Sequence, residues 1–404
     1  MENDYKAFMW SDNWCIEENR AWFVSGKYNI LFCLDLSTYQ CQSAVCIPEK
    51  NTSTFRLTPN CIKAGNDIYC MPDLGNSIWI YHLDRECFSE IPINNSGKVR
   101  LSMYNFWIHN NKIYTVSNGL KQIIEIDIKE RQIESYYNIC KEGNITKSIK
   151  NGMSIYILSG VSNEIYEFNL LTKTTTIHSI PDIKERFYTF CTDGRIFCLS
   201  GYKKELYVWD KIENTIQIMD DFPKGFGSYN FTKDTDGNVD CSTKQYEIPT
   251  FLYSVIVGDS FWFIPFQTNQ ILFWDKESRD ILPFEIDEEV ETKESLLARE
   301  SLSSKYIVEY IREDRYLGLF SIKNNYIVEI DTFNKSVEII YCTIGKKCLS
   351  DVINIICEKN VFDETFKLHQ NLYKYTLYRK ETERKKTVLN NIGDNIYKTI
   401  CFSD

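Results

Sequence analysis

The chain has 404 residues, and 46 Lys plus Arg against 56 Asp plus Glu leave a formal charge of −10. Hydrophobic residues at 43% and charged residues at 25% lie near globular averages, which excludes wholesale disorder. The acidic balance argues against a general nucleic-acid binder, which needs a basic face to displace counterions from phosphate. No apolar run reaches the roughly 18 residues of a membrane-spanning helix, so no membrane insertion is expected.

The first residues, MENDYKAFMWSDNW, are polar and acidic, without a basic start or an apolar core of signal-peptide length. The expected location is therefore cytoplasmic. Fifteen cysteines form no CxxC pair, and Cys15, Cys33, Cys70, Cys198 and Cys342 lie within apolar runs. There a free thiol behaves as a small hydrophobe, harmless in a reducing compartment. The sequons at Asn51, Asn94, Asn144 and Asn230 then carry no glycan.

Aromatic residues reach 14%, led by 26 Tyr and 24 Phe, a composition that favours strands. In chain order, one unit recurs: an apolar strand, a polar turn, an aromatic-rich strand, a short loop, Ile/Leu-x-aromatic-x-Asp, a second turn and a last strand. Its anchors are Asp35, Asp84, Asp127, Asn169, Asp210, Asp275 and Asp331. Thirteen residues before an anchor stands an aromatic in five units (Trp22, Tyr114, Tyr156, Phe197 and Trp262), with slipped registers around Tyr69 and Tyr316. The turns ahead of these strands include Glu18-Asn19, Gly65-Asn66, Asn110-Asn111, Asn151-Gly152, Asp193-Gly194, Gly258-Asp259 and Glu313-Asp314. Such pairs supply positive φ at little cost and mark tight hairpins. The anchor carboxylate is suited to accept backbone amides of the next turn, a structural role.

Four short strands every 40 to 50 residues are the mark of a propeller blade. Over about residues 13 to 345 the chain resembles the kelch-like and WD-repeat propeller superfamily. Leu206-Tyr207-Val208-Trp209-Asp210 and Ile271-Leu272-Phe273-Trp274-Asp275 look like the Trp-Asp ending of a WD repeat. The resemblance concerns architecture and transfers no ligand or functional residue. The expected fold is all-β, a seven-bladed β-propeller of four-stranded antiparallel blades (1–345) with a mixed α/β C-terminal appendage (346–404) packed on it. Six or eight blades are the alternatives. Residues Tyr5 to Trp10 are expected to add an outer strand to the last blade. In the appendage, Leu349, Val352, Ile353 and Ile356 fit one helix face, Leu372 to Leu377 alternate like a strand, and Ile392, Ile396 and Ile400 fit a second helix.

Extra length concentrates in blade-to-blade connections, at 220–250 and 285–304, which emerge on the same side as the loops joining second to third strands. Those loops contain Tyr28, Asp73, Lys121, Tyr202, Lys203, Phe266 and Gln267, the expected ligand-binding residues. Their aromatic, amide and carboxylate groups suit a sugar or a protein segment. Insertions tolerated without any ligand are the alternative. Asp234, Asp236, Asn238 and Asp240 have the spacing that opens a calcium loop, but Val239 stands where the sharp-turn glycine belongs and Gln245 where a bidentate Glu belongs. No cofactor is expected, and calcium is the one candidate.

The four histidines, His82, His109, His178 and His369, fall in different repeat positions, so neither a Ser-His-Asp arrangement nor a multi-histidine metal site is expected. The expected function is non-enzymatic: a monomeric binding or scaffolding propeller that recognises a protein or glycan through loops on one face. The alternative is a carbohydrate-active hydrolase or lyase using carboxylates near the ring axis.

Overall fold

Each strand-forming run pairs with the next one along the chain. In the computed structural model these pairings build seven sheets, each containing four consecutive antiparallel strands, at residues 15–46, 60–92, 103–138, 145–179, 187–219, 251–284 and 306–340. These are blades 1 to 7 of a β-propeller. The structure describes residues 5–7, 11, 13–25, 29–48, 57–93, 101, 103–140, 145–181, 183, 185–223, 226, 232–233, 239–240, 249–265, 270–275, 280–286, 306–321, 326–358 and 377–378.

A sheet with two apolar faces cannot bury both alone. The second strands show the consequence: Ile155 and Ile157 of blade 4 pack toward blade 3, while Tyr156 and Leu158 pack toward blade 5. This period-2 alternation puts every second residue on the opposite face. Seven apolar clusters result, one for each pair of neighbouring blades, the last joining blade 7 to blade 1. An open stack of seven blades would have six such interfaces; the seventh closes the ring. The outer strands meet water on one side, as the alternating exposure of Gln132–Asn138 shows.

Blade 1 holds the ring shut without borrowing a strand. Trp14 donates its backbone N–H to Glu309 O of blade 7 at 2.8 Å, and its indole lies 5.3 Å from the Tyr310 ring. The strand Tyr5–Ala7 does not join the last blade as expected. It pairs with Thr343–Ile344, which runs parallel to the outer strand of blade 1. The reason is the route of the chain after blade 7: Thr343 N donates to Tyr39 O of blade 1, so the free edge that Tyr5–Ala7 meets lies there. Leu377–Tyr378 pairs with Tyr5–Ala7 in turn. Helix α1 (Lys346–Glu358) packs Cys348 and Val352 onto the same blade 1 cluster, near Cys41 and Ile344. The expected second helix at Ile392–Ile400 lies outside the described residues.

Five of the seven anchors cap the turns between third and fourth strands. Asp35, Asn169, Asp210 and Asp331 each accept two backbone amides on one Oδ1, and Asp127 accepts one. Blade 2 departs from the expected register. His82, not Asp84, faces the first residue of the second strand. Counted from His82, Tyr69 stands thirteen residues back, so the apparent slip disappears. In blade 7 the same slot is Gly318, and the Tyr310 ring from the inner strand fills it. The twelve described cysteines all carry free thiols, eight of them buried. No described helix is long and apolar enough to cross a membrane.

Candidate functional site

Antiparallel blades have two ends with different freedom. Turns joining first to second and third to fourth strands share one end; loops joining second to third strands and one blade to the next share the other. The turn end is built from short hairpins, with positive φ at Glu18, Gly65, Asn110, Asn111, Gly152, Gly258, Glu313 and Asp314.

At that end, a side chain from an outer turn reaches back onto the preceding blade. Lys173 of blade 4 meets Glu125 of blade 3 at 2.9 Å, and Lys211 of blade 5 meets Glu167 of blade 4 at 2.9 Å. Burial alone would raise the Glu125 carboxyl, but hydrogen bonds from Lys112, Tyr137 and Lys173 outweigh it and bring it down to about 2. Glu167 also falls to about 2, its burial outweighed by Ser154, Lys211 and His178. Lys335 of blade 7 lies over the Phe273 ring at 4.2 Å, with the charge of Asp275 acting on it from blade 6.

Blade 2 fills its seam with a chain that the sequence did not reveal. His82 Nδ1 lies 2.6 Å from Asp67 Oδ1, and its Nε2 lies 2.8 Å from Ser89 Oγ. Contrary to expectation, a Ser-His-Asp sequence of contacts therefore exists. The β-ladder brings these residues side by side although 15 and 7 positions separate them. Asp67 also receives Arg131 of blade 3 at 2.8 Å, which makes this the counterpart of the Glu125 and Glu167 seams. His82 is 2% exposed. We assign the chain to holding blades together. His109 ends the inner strand of blade 3 at a two-residue turn, and His178 serves the Glu167 seam; His369 lies outside the described residues.

The opposite end carries the long connections, and its described part is best developed around blade 5. Gly201 ends the second strand there, and a Cβ on it would fall inside van der Waals contact of Arg186 O. This close approach lets Glu185 meet Lys203 at 2.9 Å. Thr250 clamps the loop from the far side, donating its N–H to Gly201 O and its Oγ1 to Lys203 O. Tyr202 stands edge-on to Tyr188 of the inner strand, with ring centroids 6.3 Å apart. Burial, with Tyr202 adding, pushes the Tyr188 phenol up. Lys204 lies over the stacked rings of Phe222 and Phe226 and donates to Phe226 O.

Beside this loop, inner strands line the axis. β-Bulges before Lys147 in blade 4 and before Tyr253 in blade 6 interrupt the ladder at matching places. Lys147 Nζ lies 5.1 Å from the Tyr253 ring centroid, spanning the inner edge of blade 5. Lys147 is partly buried and keeps some accessible surface. Burial pushes its ammonium down to about 8. Hydrogen bonds staple neighbouring inner strands nearby: Asn105 Nδ2 to Ser148 Oγ at 3.0 Å, and Ser254 N to Thr189 Oγ1 at 3.1 Å.

The expected site residues are distributed as follows. Tyr202 and Lys203 belong to the blade 5 cluster. Asp73 is fully buried, and its backbone holds Leu57 and Leu101. Lys121 adopts positive φ in its loop and accepts Ile139 N on its carbonyl. Tyr28, Phe266 and Gln267 lie outside the described residues, as do Asp234, Asp236 and Asn238. Asp240 ends a two-residue strand facing Thr232. Among the described residues no group of His, Cys, Asp and Glu is arranged to hold a metal ion. Sequence reasoning missed Lys147, Tyr188 and Tyr253. A lysine within an alternating run reads as an exposed strand residue until the strand is known to be innermost.

No protein-family model matches this sequence, and no curated protein matches it. Among solved structures it is similar to a streptogramin B lyase, at 12% identity and a TM-score of 0.51, over 78% of this chain and 93% of that one. It is similar to a catalytically inactive virginiamycin B lyase from Staphylococcus aureus with quinupristin, at 11% identity and 0.52, over 78% and 94%. It is also similar to PorZ, a surface component of the type-IX secretion system of Porphyromonas gingivalis, at 11% identity and 0.50, over 84% of this chain and 39% of that one. Identities this low show the shared propeller fold alone.

Proposed function

We propose that the protein is a monomeric, cytoplasmic binding or scaffolding propeller of the kelch-like and WD-repeat kind. It recognises a protein or glycan through the loop-bearing face around blade 5 and the ring axis. The observation that carries this reading is the contrast between the two ends. One is closed by tight turns and ion pairs, whereas the other presents Tyr202, Lys203 and Lys204 on an anchored loop beside Tyr188 of the inner strand. Rigid scaffolds that support variable loops on one face commonly bind there. The free thiols fit a reducing compartment. Trp209-Asp210 and Trp274-Asp275 end third strands, which fits the repeat kinship.

Screening a glycan array and a peptide library with wild type, Tyr202→Ala/Lys203→Glu and a turn-end control, Glu213→Ala, tests the proposal. Binding lost only in the loop-face variant is expected. Loss only in the turn-end control, or turnover of a glycoside by the wild type, overturns it; the latter would favour the carbohydrate-active alternative.

A further inference from the structure

Several cations at the turn end of the blades meet carboxylates, but Lys147 does not. Lys112 and Lys173 share Glu125, Lys211 meets Glu167, Arg131 meets Asp67 and Arg312 meets Glu329. Among the described residues no carboxylate lies within ion-pairing distance of Lys147. The groups around it are the Tyr253 ring and, from blade 5, the Cys191 thiol. Next to Lys147 and Tyr253 in the chain, Thr146 Oγ1 and Ser254 Oγ are buried and have no hydrogen-bond partner among the described residues. A cation enclosed without a counter-charge is costly, and a perturbed group of this sort in a cleft marks a site that a ligand completes.

We infer that Lys147 and Tyr253 form an axial subsite for the carboxylate of an acidic sugar. This inference rests on the binding reading and narrows it to a ligand class. One ammonium, with no second cation beside it among the described residues, is neutralised by a monoanion; a phosphate dianion would leave a buried charge behind. The ammonium brings three donors for a carboxylate. Tyr253 and the Tyr188–Tyr202 pair add flat faces on which the C–H side of a pyranose ring packs. An acidic peptide side chain would use the ammonium and leave those faces idle.

Calorimetric titration of the full chain with tri-galacturonate, its methyl ester and a Glu-containing hexapeptide tests the inference. Wild type, Lys147→Met, Lys147→Arg and Tyr202→Ala are compared, with melting curves to verify folding. The acid trimer is expected to saturate wild type, with the ester and Lys147→Met each weaker by about tenfold or more, as for loss of a charge-assisted contact. Lys147→Arg is expected to retain most of the affinity. Equal binding of acid and ester, unchanged binding by folded Lys147→Met, or no saturation by the acid trimer overturns the inference. Peptide binding that depends on Lys147 without trimer binding also overturns the sugar assignment, while leaving the binding-module reading in place. Binding lost in Tyr202→Ala but untouched in Lys147→Met returns the ligand to the outer loop and overturns only the axial subsite.

Discussion

Replacing Lys147 by Met should make the protein more stable, an unusual outcome for an inner-strand substitution. The ammonium falls from 10.5 to about 8 because burial removes water from it. At about 1.4 kcal/mol per pKa unit, the charged form costs the folded state about 3.5 kcal/mol. The contact with the Tyr253 ring offsets about 1 kcal/mol of this, and Met keeps a similar unbranched apolar stem. A net gain of about 2.5 kcal/mol at pH 7 remains, which for a chain of this length raises the melting temperature by about 3 °C. The pH dependence provides a second check. Between the folded value near 8 and the unfolded 10.5, the unfolded chain binds more protons than the folded one. Wild-type stability relative to Lys147→Met therefore rises through that window. The advantage of the variant should be full below pH 8 and vanish by about pH 10.5. Paired melting curves of the two proteins from pH 7 to 10.5 isolate this group from other titrations. A variant less stable than wild type at pH 7, or a difference that does not change with pH, refutes the reasoning.

Glu125 and Glu167, both depressed to about 2, contribute stability that is present above pH 4.5 and lost as the pH falls toward 2. Glu125→Gln/Glu167→Gln should therefore be less stable at pH 7 and lose less than wild type on acidification from pH 5 to 2, read by urea denaturation. Gly318→Ala places a Cβ against the Tyr310 ring and should cost about 1–3 kcal/mol, with Tyr310→Val recovering part of it in the double variant; additive losses would argue against the clash. Ser89→Ala removes one hydrogen bond from His82 and should cost about 1 kcal/mol in chemical denaturation. The wild type should not hydrolyse an activated ester in a Ser89-dependent way, and such hydrolysis would reverse the assignment of the Asp67–His82–Ser89 chain.

What the sequence alone determined is what short-range chemistry controls. An Asn-Gly or Gly-Asp pair selects its turn within four residues, and Asp210 caps amides two and three positions on, so both signals repeat at the blade period. Seven anchors thus predicted seven blades, although a wrong anchor, Asp84, stood in for His82 because it lies just past the end of the strand that His82 ends. The α1 helix was legible for the same reason, since its apolar face needs only a 3.6-residue period. Tertiary structure decided everything that depends on which strands become neighbours. It moved Tyr5–Ala7 to the edge of blade 1, joined Asp67, His82 and Ser89 into one seam, and filled the space over Gly318 with Tyr310 from another strand. Above all, it set Lys147 opposite Tyr253. These residues belong to blades 4 and 6, and only closure of the ring, driven by burial of both faces of every sheet, brings a lysine and a tyrosine so far apart in the chain to one axis.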